Sequence, residues 1–279
     1  MRLTDLFAGN FETYFEDAHS GKPLWVFIHV PKTAGSSLNG ELMPILFPNH
    51  HIFIDYSKLS ATEASQSYET LFNLSVDRFI GMAKAKRYRY VTGHINTAQM
   101  DHIAAGLPEM QLRPITLLRE PVSRFISDYR YQRSTMHPGH VAFSEQYPNI
   151  RDYLRQPGDW NKTATSLLPP ELYRAGDAEA CVDWLIDTYK FIGIQEMYSL
   201  SLHALSWFGG VPKRPKVRRR INTPTAENEV VLTYDLQEEI RARNSLDVAI
   251  YDAIAPRFVA ISDGLTKYLD RVAPRPPRE

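Results

Sequence analysis

The chain alternates short, continuous apolar runs with longer stretches in which apolar residues recur at helical spacing. "LWVFIHV" (Leu24–Val30) has no polar position facing away from a core, so it predicts a strand buried on both faces. "HIFIDY" (His51–Tyr56), "YRYVTGH" (Tyr88–His94), "RPITLLRE" (Arg113–Glu120) and "KFIGI" (Lys190–Ile194) predict further strands. Between them, "SSLNGELMPILF" (Ser36–Phe47) predicts a helix made irregular by Gly40 and Pro44. The polar stretch Ser57–Ala83 predicts one or two more. "PVSRFISDYRYQRS" predicts a helix opened by Pro121, and "QEMYSLSLHALSWFGG" one stopped by glycines. Residues 137–170, rich in Pro, Gly, Asn and Asp, read as a lid-like or substrate-binding loop with short helices. Helical patterns over Thr225–Arg243 and Ser245–Arg271 lead to a frayed tail at 272–279. Buried-type strands alternating with helices predict a single α/β domain over 1–279, with a mostly parallel central sheet flanked by helices.

Charge narrows the function classes. Lys+Arg and Asp+Glu both number 32, so there is no general pull on nucleic acid or acidic membranes. Positive charge is local, in "KAKRYRY" (Lys84–Tyr90) and "KRPKVRRR" (Lys213–Arg220). Cys181 stands alone, so no internal disulfide forms, and the N-terminal stretch has no long apolar run. Together these predict a cytoplasmic protein without a membrane anchor. Its oligomeric state is not legible.

Candidate chemistry begins at "HVPKTAGSS". A buried strand feeding a loop of Gly, Ser and Thr at a helix start makes an anion site, because free amides and the helix dipole point at the ligand. Gly35 permits close approach, Thr33, Ser36 and Ser37 bring hydroxyls, and Lys32 brings a full charge. The ATP-binding loop G-x-x-x-x-G-K-[ST] has its lysine after the glycines. Here the lysine comes first. A second feature, "LLREPVSRFISDYRY", puts Arg119 at a strand end and Ser127 on the next helix, a setting suited to a phosphate. A third, "YVTGHIN", puts His94 just past another strand. His29, inside the strand that precedes the loop, reads as structural. No histidine spacing predicts a metal site.

The first two motifs, in this order and each after a buried strand, resemble the nucleotide-binding signatures of sulfotransferases that use 3′-phosphoadenosine 5′-phosphosulfate (PAPS). The likeness is to the Golgi carbohydrate group that includes heparan sulfate 2-O-sulfotransferase. It covers mainly the N-terminal half. It implies a P-loop-like fold in which Lys32, Thr33, Ala34, Gly35, Ser36 and Ser37 bind the 5′-phosphosulfate. Arg119 and Ser127 then bind the 3′-phosphate. It also implies His94 as the base that takes a proton from an acceptor hydroxyl, a task suited to neutral imidazole. One or more of Arg218, Arg219 and Arg220 would close over the nucleotide. The product would be adenosine 3′,5′-bisphosphate, with no metal required. The acceptor would be a hydroxyl compound, a saccharide or small metabolite; Lys84–Arg89 reads either as a contact for an anionic acceptor or as a solvated charge run. The Golgi enzymes are anchored and often disulfide-bonded, so this chain looks like a free-standing bacterial-type relative. Two other readings stay open: a nucleotide or small-molecule kinase, and a non-catalytic module that binds an anion.

Overall fold

A computed structural model describes residues 1–18, 20–60, 65–210 and 228–272. Five strands, β1 (Pro23–Ile28), β2 (Asn49–His51), β3 (Tyr90–Gly93), β4 (Gln111–Leu118) and β5 (Phe191–Ile194), form one sheet in the order β2-β3-β1-β4-β5. All four pairings are parallel. The apolar runs explain this arrangement. β1, β3 and β5 are buried along nearly their whole length, as strands covered on both faces must be. Trp25 of β1 stacks on Phe208 at 4.1 Å and 2°, fixing the helix Tyr198–Trp207 to the sheet.

Several boundaries differ from the sequence pattern. The helix after β1 runs only over Gly35–Leu42, because Pro44 cannot continue it. "HIFIDY" pairs only at its start. Ile52 still donates to the Thr92 carbonyl, but Asp55 then caps a tight turn over Tyr56–Lys58. β2 is an edge strand, so little holds it extended beyond that point. The helix expected from Thr225 begins at Tyr234, where the Thr233 side chain accepts from the Leu236 amide. The last helix is Ser245–Val272. Segment 137–170 folds into short helices; residues 137–149 include none that is buried, whereas Tyr153, Ala164, Leu167 and Leu168 further on are packed into the core. No helix among the described residues is long and apolar enough to cross a membrane.

The topology creates the place for a site. β1 leads by its helix to β2 at one edge, whereas β4 leads to β5 at the other. The chain therefore leaves β1 and β4 in opposite directions at their carboxyl ends. In open α/β sheets that reversal of strand order is where ligands bind.

Candidate active site at the carboxyl ends of β1, β3 and β4

The loop after β1 has an unusual backbone. Lys32 and Ala34 have φ values of 70° and 67°. They are two of three non-glycine residues in the left-handed region among those described, so the strain is concentrated here. Each costs on the order of 1–3 kcal/mol, which persists only where surrounding structure enforces it. Left-handed residues alternating with right-handed neighbours turn successive amides inward into an anion-holding nest. The Thr33 hydroxyl is buried and donates to the Val30 carbonyl at 2.9 Å, locking the turn. Thr33 thus offers its amide, not its hydroxyl. The helix starting at Gly35 has no side-chain cap, so no capping side chain competes with a ligand for its first amides, although the Ser37 amide already donates to the Ala34 carbonyl at 3.1 Å. Ser36 is exposed and Ser37 half-buried.

β4 supplies the second wall. Arg119 Nη1 donates to the Lys32 carbonyl at 3.0 Å, tying the two motifs together. Its Nε is buried without a partner among the described residues. The helix Pro121–Gln132 is capped by Glu120, whose carboxylate accepts from the amides of Val122 (2.9 Å) and Ser123 (2.7 Å). Glu196, after β5, accepts the Glu120 amide and the Tyr251 hydroxyl, each at 3.0 Å. Lys32 Nζ lies 3.9 Å from the centre of the Tyr131 ring. Ser127 lies one turn before Tyr131 on the same helix face. Desolvation lowers the pKa of Lys32, with Asp128 pulling it back up and Arg119 adding to the fall. Arg119 is likewise lowered by desolvation, against the pull of Glu196 and Glu120.

Two arginines that the motif reading passed over belong to this wall. Arg124 is fully buried. Its Nη1 lies 3.5 Å from Asp128, and no guanidinium nitrogen makes a hydrogen bond among the described residues. Arg130 also leaves a buried Nε without a partner. Both lower the pKa of Arg119 electrostatically, so all three cations share one neighbourhood. Their signal in the sequence is spacing, since Arg124 and Arg130 each stand three positions from Ser127.

On the other side of β1, His94 follows β3. Its Nδ1 donates to the His29 carbonyl at 2.9 Å, which leaves the lone pair on Nε2. The two imidazole rings stack at 4.7 Å and 19°. Desolvation holds His94 below the ordinary histidine pKa, and the His29 carbonyl opposes that fall. His94 is therefore neutral near pH 7, with Nε2 able to take a proton.

His29 is more than filler. A Cβ on Gly35 would sit 2.0 Å from the His29 Cδ2 atom, so the ring packs directly on the anion loop while holding His94. Gly35→Ala is expected to cost about 1–3 kcal/mol by overpacking. Gly40, in the same helix with open space around it, is expected to gain about 0.5–1 kcal/mol as alanine. Denaturant midpoints of the two variants check this. Burial, with help from His94, His51 and Lys32, pushes His29 down to about 3. The unfolded chain takes up this proton near pH 6.5. Between those values the unfolded state binds more protons, so stability falls as pH falls, by up to about 1.4 kcal/mol per pH unit. His29→Asn is expected to flatten that slope in acid-denaturation curves.

The remaining candidates fall elsewhere. Arg218, Arg219 and Arg220 lie outside the described residues. Lys84–Arg89 precedes β3, at the end of the sheet opposite His94, so it does not meet an acceptor held by that histidine. His50 packs between Phe79 and Tyr88, and His102 pairs with Asp77 on the surface. A cleft of about 430 Å³ lined by Asp17, Gln111, Arg113 and Lys190 sits at the amino ends of the strands. Arg113 there is already bonded to the carbonyls of Ala18 and Ser20. A scan of family models and searches among curated proteins and solved structures return no match to this chain.

Proposed function

We propose that the protein transfers the sulfuryl group of PAPS to a hydroxyl acceptor. The observation that carries this reading is the order of three groups along the sheet. His94 stands at the end of β3, the amide nest with Lys32 at the end of β1, and Arg119 at the end of β4. Neighbouring strands lie about 4.8 Å apart, so the outer two are separated by roughly 10 Å. That matches a nucleotide with one anionic group in the nest, a second phosphate on the arginine side and the reacting group on the histidine side. The unpaired donors of Arg119 and Arg130 fit a second phosphate, and the nest fits the 5′-phosphosulfate.

PAPS supplies the sulfuryl group, and adenosine 3′,5′-bisphosphate leaves. His94 Nε2 takes the acceptor proton as the acceptor oxygen–sulfur bond forms. Lys32 and the loop amides stabilise the electron pair that returns to the 5′-phosphate as the old sulfur–oxygen bond breaks. Donors fixed before the reaction need no reorganisation during it, which is the strongest form of electrostatic catalysis. Arg119 and Ser127 anchor the far phosphate and so orient the reacting end.

Thermal shift separates this reading from a kinase. Adenosine 3′,5′-bisphosphate is expected to raise the melting temperature, and ATP with Mg²⁺ is not. Stabilisation by ATP·Mg²⁺ alone overturns the proposal. Bisphosphate binding without any transfer from PAPS to a broad hydroxyl panel points instead to a non-catalytic binding module.

A further inference from the structure

Lys32 is held from both ends by the second motif. Its main-chain carbonyl accepts from Arg119 Nη1 at 3.0 Å, and its Nζ lies 3.9 Å from the centre of the Tyr131 ring. Lys32 and Tyr131 are both half-buried, so their contact is not a loose surface encounter. The ring is itself fixed. The His137 ring meets it edge-on, with centroids 5.6 Å apart and planes at 71°. The turn between the two rings is closed by short bonds. The Ser134 amide and hydroxyl donate to the Tyr131 carbonyl at 3.0 and 2.7 Å, and the His137 amide donates to the Ser134 carbonyl at 2.9 Å.

A cation can be held by a carboxylate or by a ring face, and the two have opposite consequences for an incoming anion. A carboxylate neutralises the ammonium and must be displaced. A ring face attracts it through the quadrupole and leaves its full charge in place. An ammonium also has three donors, so a ring on one side leaves others for a ligand. The carboxylate whose charge Lys32 feels is Asp128. That group is engaged elsewhere, 3.5 Å from Arg124 Nη1 and accepting the Tyr153 hydroxyl at 3.3 Å. Lysine is long and flexible, so holding its side chain beforehand removes an ordering cost from binding.

We infer that Tyr131 is a positioning residue for the anion loop: its ring, braced by His137, presents the Lys32 ammonium to the bound anion. This rests on the anion-binding part of the transferase reading and adds to it a residue with no role in the motif resemblance. It also gives a task to the start of the stretch after the site helix, which through His137 supports the ring.

The test is a double-mutant cycle in calorimetric titrations with adenosine 3′,5′-bisphosphate and, separately, with inorganic pyrophosphate. Tyr131→Leu keeps apolar bulk but loses the π face, and is expected to weaken both anions about three- to tenfold. Tyr131→Phe keeps the face and should bind as the wild type does. In a Lys32→Met background, Tyr131→Leu should change affinity by less than about twofold. Equal losses with and without Lys32 would mean that the ring acts only through packing, and overturn the proposal. A second readout needs no ligand. After reductive ¹³C-methylation, the resonance that disappears in Lys32→Met should lie upfield in the wild type and in Tyr131→Phe, from the ring current. In Tyr131→Leu it should move to the ordinary lysine position. An ordinary position in the wild type also overturns the proposal. If pyrophosphate shows the cycle but the bisphosphate does not bind, Tyr131 keeps its role and the nucleotide reading fails. A wild type that binds neither anion overturns both.

Discussion

His94→Ala is expected to slow sulfuryl transfer from PAPS by about 10²–10⁴-fold, the usual worth of a positioned general base. Binding of adenosine 3′,5′-bisphosphate should persist, because the nest, Lys32 and Arg119 do not depend on the imidazole ring. The wild-type pH profile of kcat/KM supplies an independent check. His94 must be neutral to accept a proton, and its pKa lies below the ordinary histidine value. Activity should therefore hold through pH 6.5 and fall only as the pH drops through the lowered pKa. In the alanine variant that acidic limb should vanish. Full activity in His94→Ala at pH 7 would remove the histidine from the mechanism.

The second large effect is expected at Arg119. Its Nη1 holds the Lys32 carbonyl, and its Nε is buried without a partner among the described residues, which leaves a donor for the proposed second phosphate. Hydrogen bonds to charged groups are worth about 1.5–3 kcal/mol each. Loss of the second-phosphate contact alone should therefore weaken adenosine 3′,5′-bisphosphate roughly 10- to 100-fold. Arg119→Lys should recover little, since an ammonium cannot bridge the loop carbonyl and a phosphate as a planar guanidinium does. The discriminating measurement is calorimetric titration with two ligands. Adenosine 5′-phosphate, which lacks the 3′-phosphate, should lose much less affinity than the bisphosphate. Equal losses would mean that Arg119 acts only by holding the loop.

How much of this was legible in the sequence follows from what each feature depends on. β1, β3, β4 and β5 were readable because burial on both faces writes a continuous apolar run. β2 ends sooner than its apolar run because an edge strand keeps its apolar residues after its pairing has ended; Phe53 is apolar but exposed. Lys32, Arg119 and His94 are readable as residue types just past strand ends, and Ser127 as a hydroxyl on the helix that follows β4. The left-handed backbone at Lys32 and Ala34 was not, because neither residue advertises positive φ as glycine would. His29 read as structural because its role arises across strands, from the ring of His94 and the missing side chain of Gly35. Arg124 and Arg130 were hidden in a helix whose face could be assigned only once its packing was known.

The bond that orients His94 has a consequence for how such a site can change over generations. Its acceptor is the main-chain carbonyl of His29, not a side chain. No codon change at position 29 can delete that oxygen, so the tautomer of the base is shielded from point mutation there. What mutation at 29 can alter is the ring stacked on His94, and with it how acidic the base becomes. The site can therefore drift in working pH while keeping the identity and orientation of its base.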